Sequence, residues 1–213
     1  MKAIIFDMDG TLIDTEKYYR ICWRKAAEQF GYHMTDEQAL AMRSLGRPFA
    51  PAKLKEWFGE ELDYQKVRVC AREMTEEYLA REGIGCKPGA LILLSWLKER
   101  HIVTAVATAA GLERAQDYLG RAGLLGYFDE IISAVQVKEG KPSPDIYLYA
   151  CEKLNAAPEE CYAVEDSPNG VLSAYRAGCK VIMVPDQTRP DEELAKCLYA
   201  TVDSLEDIKK LLV

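Results

Sequence analysis

Asp7 and Asp9 stand two residues apart at the end of a short apolar run, Lys2-Ala3-Ile4-Ile5-Phe6, and Gly10 and Thr11 follow them. On an extended segment this spacing turns both carboxylates to one side, and Gly10 relieves crowding in the turn beyond. Three more groups follow apolar runs: the hydroxyl of Thr108, a lysine in Lys138-Glu139-Gly140-Lys141-Pro142, and the pair Glu165-Asp166. Acids gathered in one cleft repel and shift one another's pKa, and a divalent cation is the usual remedy. An all-oxygen ligand set suits magnesium, which keeps several waters and often shares a phosphate oxygen.

For these groups to meet, the chain must bring the ends of several strands together. Residues 2–6 read as a buried strand, and further strands are expected at 102–107, 130–134, 161–165 and 180–184. Helical patterns lie between them at 90–100, 112–122, 144–154 and 169–177. Ser143-Pro144 and Ser167-Pro168 put an N-cap residue before proline near two helix starts, and Gly178 fits a helix C-terminus. Alternating strands and helices imply an α/β fold, a Rossmann-like parallel sheet covered on both faces, with ligands at the carboxyl ends of its strands.

Residues 15–82 differ. They carry helix-period patterns punctuated by Gly31, Gly46-Arg47-Pro48 and Gly59 into three or four helices, and Thr35 with Gln38 is a capping-box signature. An all-helical block is therefore inserted after the first strand. The core domain is expected at 1–14 and 86–213 and the helical cap domain at 15–85, with linkers near 12–15 and 83–89 that let the cap move.

The chain has 213 residues, 49% of them hydrophobic, and a formal net charge of -7. A negative chain is a poor partner for nucleic acid or an anionic membrane. Its apolar runs are too short to span a bilayer, and Asp7 interrupts any signal-peptide core. Seven scattered cysteines without C-x-x-C spacing read as reduced core thiols of a cytoplasmic protein. With two histidines, neither near a cysteine pair, zinc is disfavoured.

The strings Asp7-Met8-Asp9-Gly10-Thr11, Thr108, Gly140-Lys141-Pro142-Ser143-Pro144 and Val164-Glu165-Asp166-Ser167-Pro168 resemble the four ordered motifs of the haloacid-dehalogenase-like (HAD) hydrolase superfamily. The helical block resembles the cap of its subclass I, and the whole is most similar to the β-phosphoglucomutase-like phosphatases. The resemblance implies a Mg²⁺-dependent phosphatase acting on a small phosphorylated metabolite, a sugar phosphate among the options. It makes Asp7 the nucleophile that forms an aspartyl phosphate and Asp9 the general acid/base. Thr108 and Lys141 would hold the phosphoryl group, with backbone N–H groups at Met8 and Ala109 completing the cradle. Asp7, the Asp9 carbonyl and Asp166 would hold the metal, and Glu165 would support it directly or through water.

An acid at position 9 argues for phosphoryl transfer over dehalogenation. Ala109-Ala110 replace the Ser or Asn common after the hydroxyl residue, which removes a side-chain contact. Lys141 has the motif context and Lys138 reads as a surface charge. Arg43 and Arg47 are the cap's candidates for substrate, Arg47 in a turn that faces the cleft. Thr15 reads as a hinge residue and Glu16 as a solvated charge at a helix start. Tyr18, Tyr19, Trp23 and Trp57 read as packing residues. Two other functions remain open: a phosphomutase, whose extra basic groups would fall near Tyr19 and Met74, and a non-catalytic regulatory protein. A cap that seals its own site makes a monomer the default.

Overall fold

The four side chains of Ala3–Phe6 are all buried in strand β1. Period-two alternation sends Ile4 and Phe6 into one apolar cluster and Ala3 and Ile5 into another. The two clusters are the two faces of a single sheet. A computed structural model describes residues 1–212 of the chain. In it β1 lies inside a sheet with β2 (Val103–Thr108), β3 (Glu130–Ser133), β4 (Cys161–Glu165), β5 (Lys180–Met183) and β6 (Ala200–Thr201), ordered β3-β2-β1-β4-β5-β6. Every pairing is parallel, and Ile5 lies opposite Ala105 on one side and Ala163 on the other.

Helices cover both faces, as a parallel sheet requires. Helices α5 (Ala90–Glu99) and α6 (Leu112–Arg121) bury Leu93, Leu94, Leu97, Tyr118 and Leu119 on one face. On the other, α7 (Asp145–Lys153) and α8 (Pro168–Ala177) bury Ile146, Tyr147, Val171 and Ala174. The Ser167 hydroxyl caps α8 by accepting from Gly170 N, and Gly178 ends it in the left-handed region. Ser143 is not an N-cap: its hydroxyl donates to Asp145 Oδ1 at 2.7 Å, and α7 starts at Asp145. The short elements α9 (Glu192–Ala195) and β6, together with a 3-10 segment at Leu205–Leu211, finish the chain.

The inserted block forms α1 (Glu16–Gln29), α2 (Asp36–Ala41), α3 (Phe49–Phe58) and α4 (Tyr64–Glu82). Thr35 and Gln38 close the expected capping box at the start of α2. Helices α1 and α4 run antiparallel, with Tyr18 stacked on Tyr78 at 5.5 Å and the Cys70 thiol against Gln29. This block has its own apolar cluster, built on Cys22, Ala26, Met34, Leu54 and Val67. The two linkers pair with each other: Asp14 N donates to Gly85 O and Lys87 N to Leu12 O, both at 2.9 Å. All seven cysteines are free thiols.

Candidate active site

The site gathers at the carboxyl edge of the sheet, where β1, β2 and β4 end. Asp7 follows β1 directly, and its amide donates to Val164 O of β4 at 2.9 Å. Gly10 has φ of +87°, and a Cβ there would lie 2.6 Å from Asp166 Oδ2. Glycine is therefore required at position 10 for both conformation and space. The Met8 side chain is buried in the core, so only its backbone faces the site.

Of the two lysines, Lys141 lies against the acids. It is 1% exposed, and its Nζ lies 2.5 Å from both Asp7 Oδ1 and Glu165 Oε1. Lys138 is exposed. Burial alone lowers a lysine pKa, but the charges of Asp7 and Glu165 outweigh it and hold the Lys141 ammonium above its ordinary value. The Tyr147 hydroxyl also donates to Glu165 Oε1, at 2.6 Å. Burial pushes the Glu165 carboxyl up to about 7 even against Lys141.

Asp166 accepts from Thr11 Oγ1 and from Arg43 Nη1, each at 3.2 Å. Burial, and then the charge of Asp7, raise its pKa well above the carboxylate range. Asp9 accepts from the Thr15 hydroxyl at 2.5 Å. Burial pushes its carboxyl up to about 6, with Arg114 and Thr15 opposing. Thr108 is buried at the end of β2 and accepts from Ala110 N at 3.0 Å.

Asp7, Glu165 and Asp166 each offer a carboxylate oxygen within 4.8 Å of the others'. Asp7 Oδ2 and Glu165 Oε2 are buried without a hydrogen-bond partner. Unpartnered buried carboxylate oxygens call for a cation or a donor, and the all-oxygen set fits a hard divalent ion.

Asp7, Asp9, Thr108 and Ala109 line one cavity of about 120 Å³. Arg43 reaches it from the cap, whereas Arg47 lines an adjoining outer cavity. The loop carrying Arg47 is fastened to the loop carrying Lys141: Gly46 N donates to Lys141 O at 2.8 Å and Gly140 N to Arg47 O at 2.7 Å.

Three expectations change. Glu16 is not solvated; it is 6% exposed and lines the cavity, and burial followed by the charges of Asp166 and Asp9 drives its pKa well up. Thr15 bonds Asp9, a role beyond that of a hinge. Tyr19 and Trp23 face the cavity instead of packing only within the cap. Sequence reasoning also missed Tyr147, Arg68, Arg72 and Arg114. Tyr147 had a signal, since positions 146, 147, 150 and 151 trace the buried stripe of α7. The arginines had none, because a lone arginine in a helical pattern reads as a solvated charge.

A parallel sheet with this acid and lysine edge, and a helical block inserted after its first strand, defines a class of hydrolase. The haloacid dehalogenase-like hydrolase family model matches residues 1–178, and the chain belongs to that family. It is 34% identical over 223 residues to the phosphorylated carbohydrates phosphatase of Thermotoga maritima, an alignment spanning 100% of this chain and 90% of that protein. Hexitol phosphatase A of Escherichia coli is 35% identical over 183 residues, spanning 86% of this chain and 82% of that protein. The solved structure of a CbbY variant from Rhodobacter sphaeroides in complex with xylulose-(1,5)bisphosphate matches with a TM-score of 0.82 at 28% identity. That match covers 97% of this chain and 96% of that one. The chain is thus an enzyme of a hydrolase family in which both of these relatives are named phosphatases, and a β-phosphoglucomutase of Bacillus subtilis is 29% identical over 186 residues, spanning 84% of this chain and 80% of that protein. No helix among the described residues is long and apolar enough to cross a membrane.

Proposed function

We propose that the chain is a Mg²⁺-dependent phosphatase that hydrolyses a small phosphorylated metabolite of the sugar-phosphate kind through an aspartyl phosphate. The observation that carries this reading is the Asp7 carboxylate: one oxygen lies 2.5 Å from Lys141 Nζ and the other is buried with no partner. Residues 1–14 and 86–213 would form the core and 15–85 the cap that closes over it.

Asp7, Glu165, Asp166 and the Asp9 carbonyl would hold magnesium, whose charge offsets that of the phosphoryl oxygens and opens phosphorus to attack by an anion. The Asp7 carboxylate attacks phosphorus as the bond to the alcohol oxygen breaks. Asp9 donates its proton to that leaving oxygen. It then takes a proton from the water that hydrolyses the aspartyl phosphate. A pKa of about 6 suits a group that must both give and accept a proton near neutral pH. Lys141 stabilises the charge on the phosphoryl oxygens, and Thr108 with the Met8 and Ala109 amides orients them. The cap wall over the cavity would limit the access of bulk water.

The mutase reading has less support. Tyr19 is a cavity wall residue and Met74 packs in the cap's apolar cluster, so neither supplies a basic group. The test is phosphate release from a panel of sugar and polyol phosphates, with and without Mg²⁺. Release by the wild-type protein that chelation stops, and that Asp7→Asn abolishes, is the expected result. Undiminished release by Asp7→Asn, or turnover after chelation, overturns the reading.

A further inference from the structure

The two carboxylates that hold Lys141 share a pattern. Asp7 gives Oδ1 to the ammonium and keeps Oδ2 without a partner; Glu165 gives Oε1 and keeps Oε2. Glu165 differs in one respect. Its Oε1 takes a second donor, the Tyr147 hydroxyl at 2.6 Å. A carboxylate oxygen has two lone pairs, and on this one both are used. Oε2, buried with no partner, is the oxygen of Glu165 left for a cation.

Tyr147 is fully buried on α7 and takes no part in the steps assigned to Asp7 and Asp9. Burial, followed by the charges of Glu165 and Asp7, pushes its hydroxyl pKa well up, so it keeps its proton and donates. The start of its helix is tied down. Ser173 on α8 donates to Ser143 O at 2.5 Å, and Arg176 on α8 donates to Pro142 O at 2.8 Å. The Glu165 carboxylate itself lies against Gly170 of α8, where an added Cβ would stand 2.0 Å from Oε2. Helices α7 and α8 thus both bear on one carboxylate.

What the hydroxyl adds is control of a torsion. The last torsion of a glutamate side chain is broad and roughly two-fold, so its hydrogen bonds set it. Lys141 is a weak guide, because an ammonium is a compact point charge on a flexible stem. A phenol on a packed ring is a fixed donor. Its bond to Oε1 decides which oxygen faces the lysine and which is left over. The ring also lies 5.3 Å from Lys141 Nζ, a contact that does not need the hydroxyl.

We propose that Tyr147 is a positioning residue for the metal centre: its hydroxyl holds Glu165 by Oε1 and so presents Oε2 to the divalent cation. The inference rests on the metal-dependent reading of the site and deepens it. Partners that orient a metal-ligating carboxylate are worth about tenfold to a hundredfold in metal affinity.

Mn²⁺ is the probe, since it takes the same oxygen ligands as Mg²⁺ and the unbound ion gives an electron paramagnetic resonance signal. Titration of the substrate-free protein reads affinity without turnover. Tyr147→Phe keeps the ring and its packing, and should weaken Mn²⁺ binding by about tenfold or more. Tyr149→Phe, on the same helix under Lys153, is the control and should leave binding unchanged. Glu165→Gln should weaken binding as well. Adding Tyr147→Phe to it should cost no more than about twofold further, because the hydroxyl acts through that carboxylate. A merely structural hydroxyl would lower the melting temperature and leave Mn²⁺ affinity alone. A loss under about twofold in Tyr147→Phe, or a full second loss in the double variant, overturns the inference. A wild-type protein that binds no Mn²⁺ overturns it together with the metal-dependent reading. The expected loss in Tyr147→Phe, with no phosphate release by the wild-type protein, supports the inference and overturns the hydrolase reading instead.

Discussion

Asp9 is pulled two ways. Burial raises its pKa, while the Arg114 charge and the Thr15 hydroxyl stabilise its anion. Removing the hydroxyl in Thr15→Val takes away one anion-stabilising contact, so the pKa must rise further. The limb of the kcat/KM profile that reports loss of the Asp9 proton should therefore move to higher pH, and a pH-rate series on both proteins checks this. Lys141→Ala removes the only lysine among the described residues that bridges Asp7 and Glu165. A preorganised contact of this kind is worth about 3 kcal/mol, so kcat should fall by about a hundredfold or more. Steady-state rates with protein matched for folding by circular dichroism measure it. A fall of only a few-fold would return the role to Lys138.

Elements carry a different lesson. The strand ends that hold Asp7, Thr108, Glu165 and Asp166 are legible in the sequence because each acid or hydroxyl interrupts an apolar run, which is what a buried parallel strand looks like where it leaves the sheet. Lys141 is legible by its motif alone. Element ends shift by a residue: β2 runs Val103–Thr108, and β3 stops at Ser133. Elements α9 and β6 span four and two residues, too short for any period to register. Glu16, Arg68, Arg72 and Arg114 read as surface charges because helical polar faces look alike. Only the seat of the cap on the core brings those residues to one cavity wall. Stability belongs to this scale as well. Leu97 on α5 is fully buried against the sheet. Leu97→Ala should cost about 3 kcal/mol of unfolding free energy in urea titration, with kcat of the folded protein unchanged because α5 lies outside the catalytic cavity.

For the molecule as a whole, the decisive joint is the pair of backbone hydrogen bonds between the Gly46-Arg47 and Gly140-Lys141 segments. The two glycines meet so closely that a Cβ on Gly46 would stand 2.5 Å from Gly140 Cα, a backbone atom that cannot rotate aside. Gly46→Ala should force the cap loop off the Lys141 loop and lower kcat/KM by about tenfold or more, since small misplacements of catalytic groups are costly. Gly126→Ala, where nothing lies within 4 Å of the added methyl, is the control and should leave kcat/KM unchanged. Equal kinetics in the two variants would show that the joint has no part in catalysis.

The strand order has a consequence for how the molecule is made. Strand β1 lies between β2 and β4, yet these partners begin only at Val103 and Cys161. A chain emerging from the ribosome completes α1 to α4, an uninterrupted stretch with its own apolar cluster, before either partner exists. The nascent protein thus presents a finished helical module behind an apolar tetrapeptide that waits for its neighbours. Long-range pairing of this kind is slow, and the tethered segment is exposed for the interval. The same insertion that gives the enzyme its cap therefore creates a period in which a chaperone has something to hold.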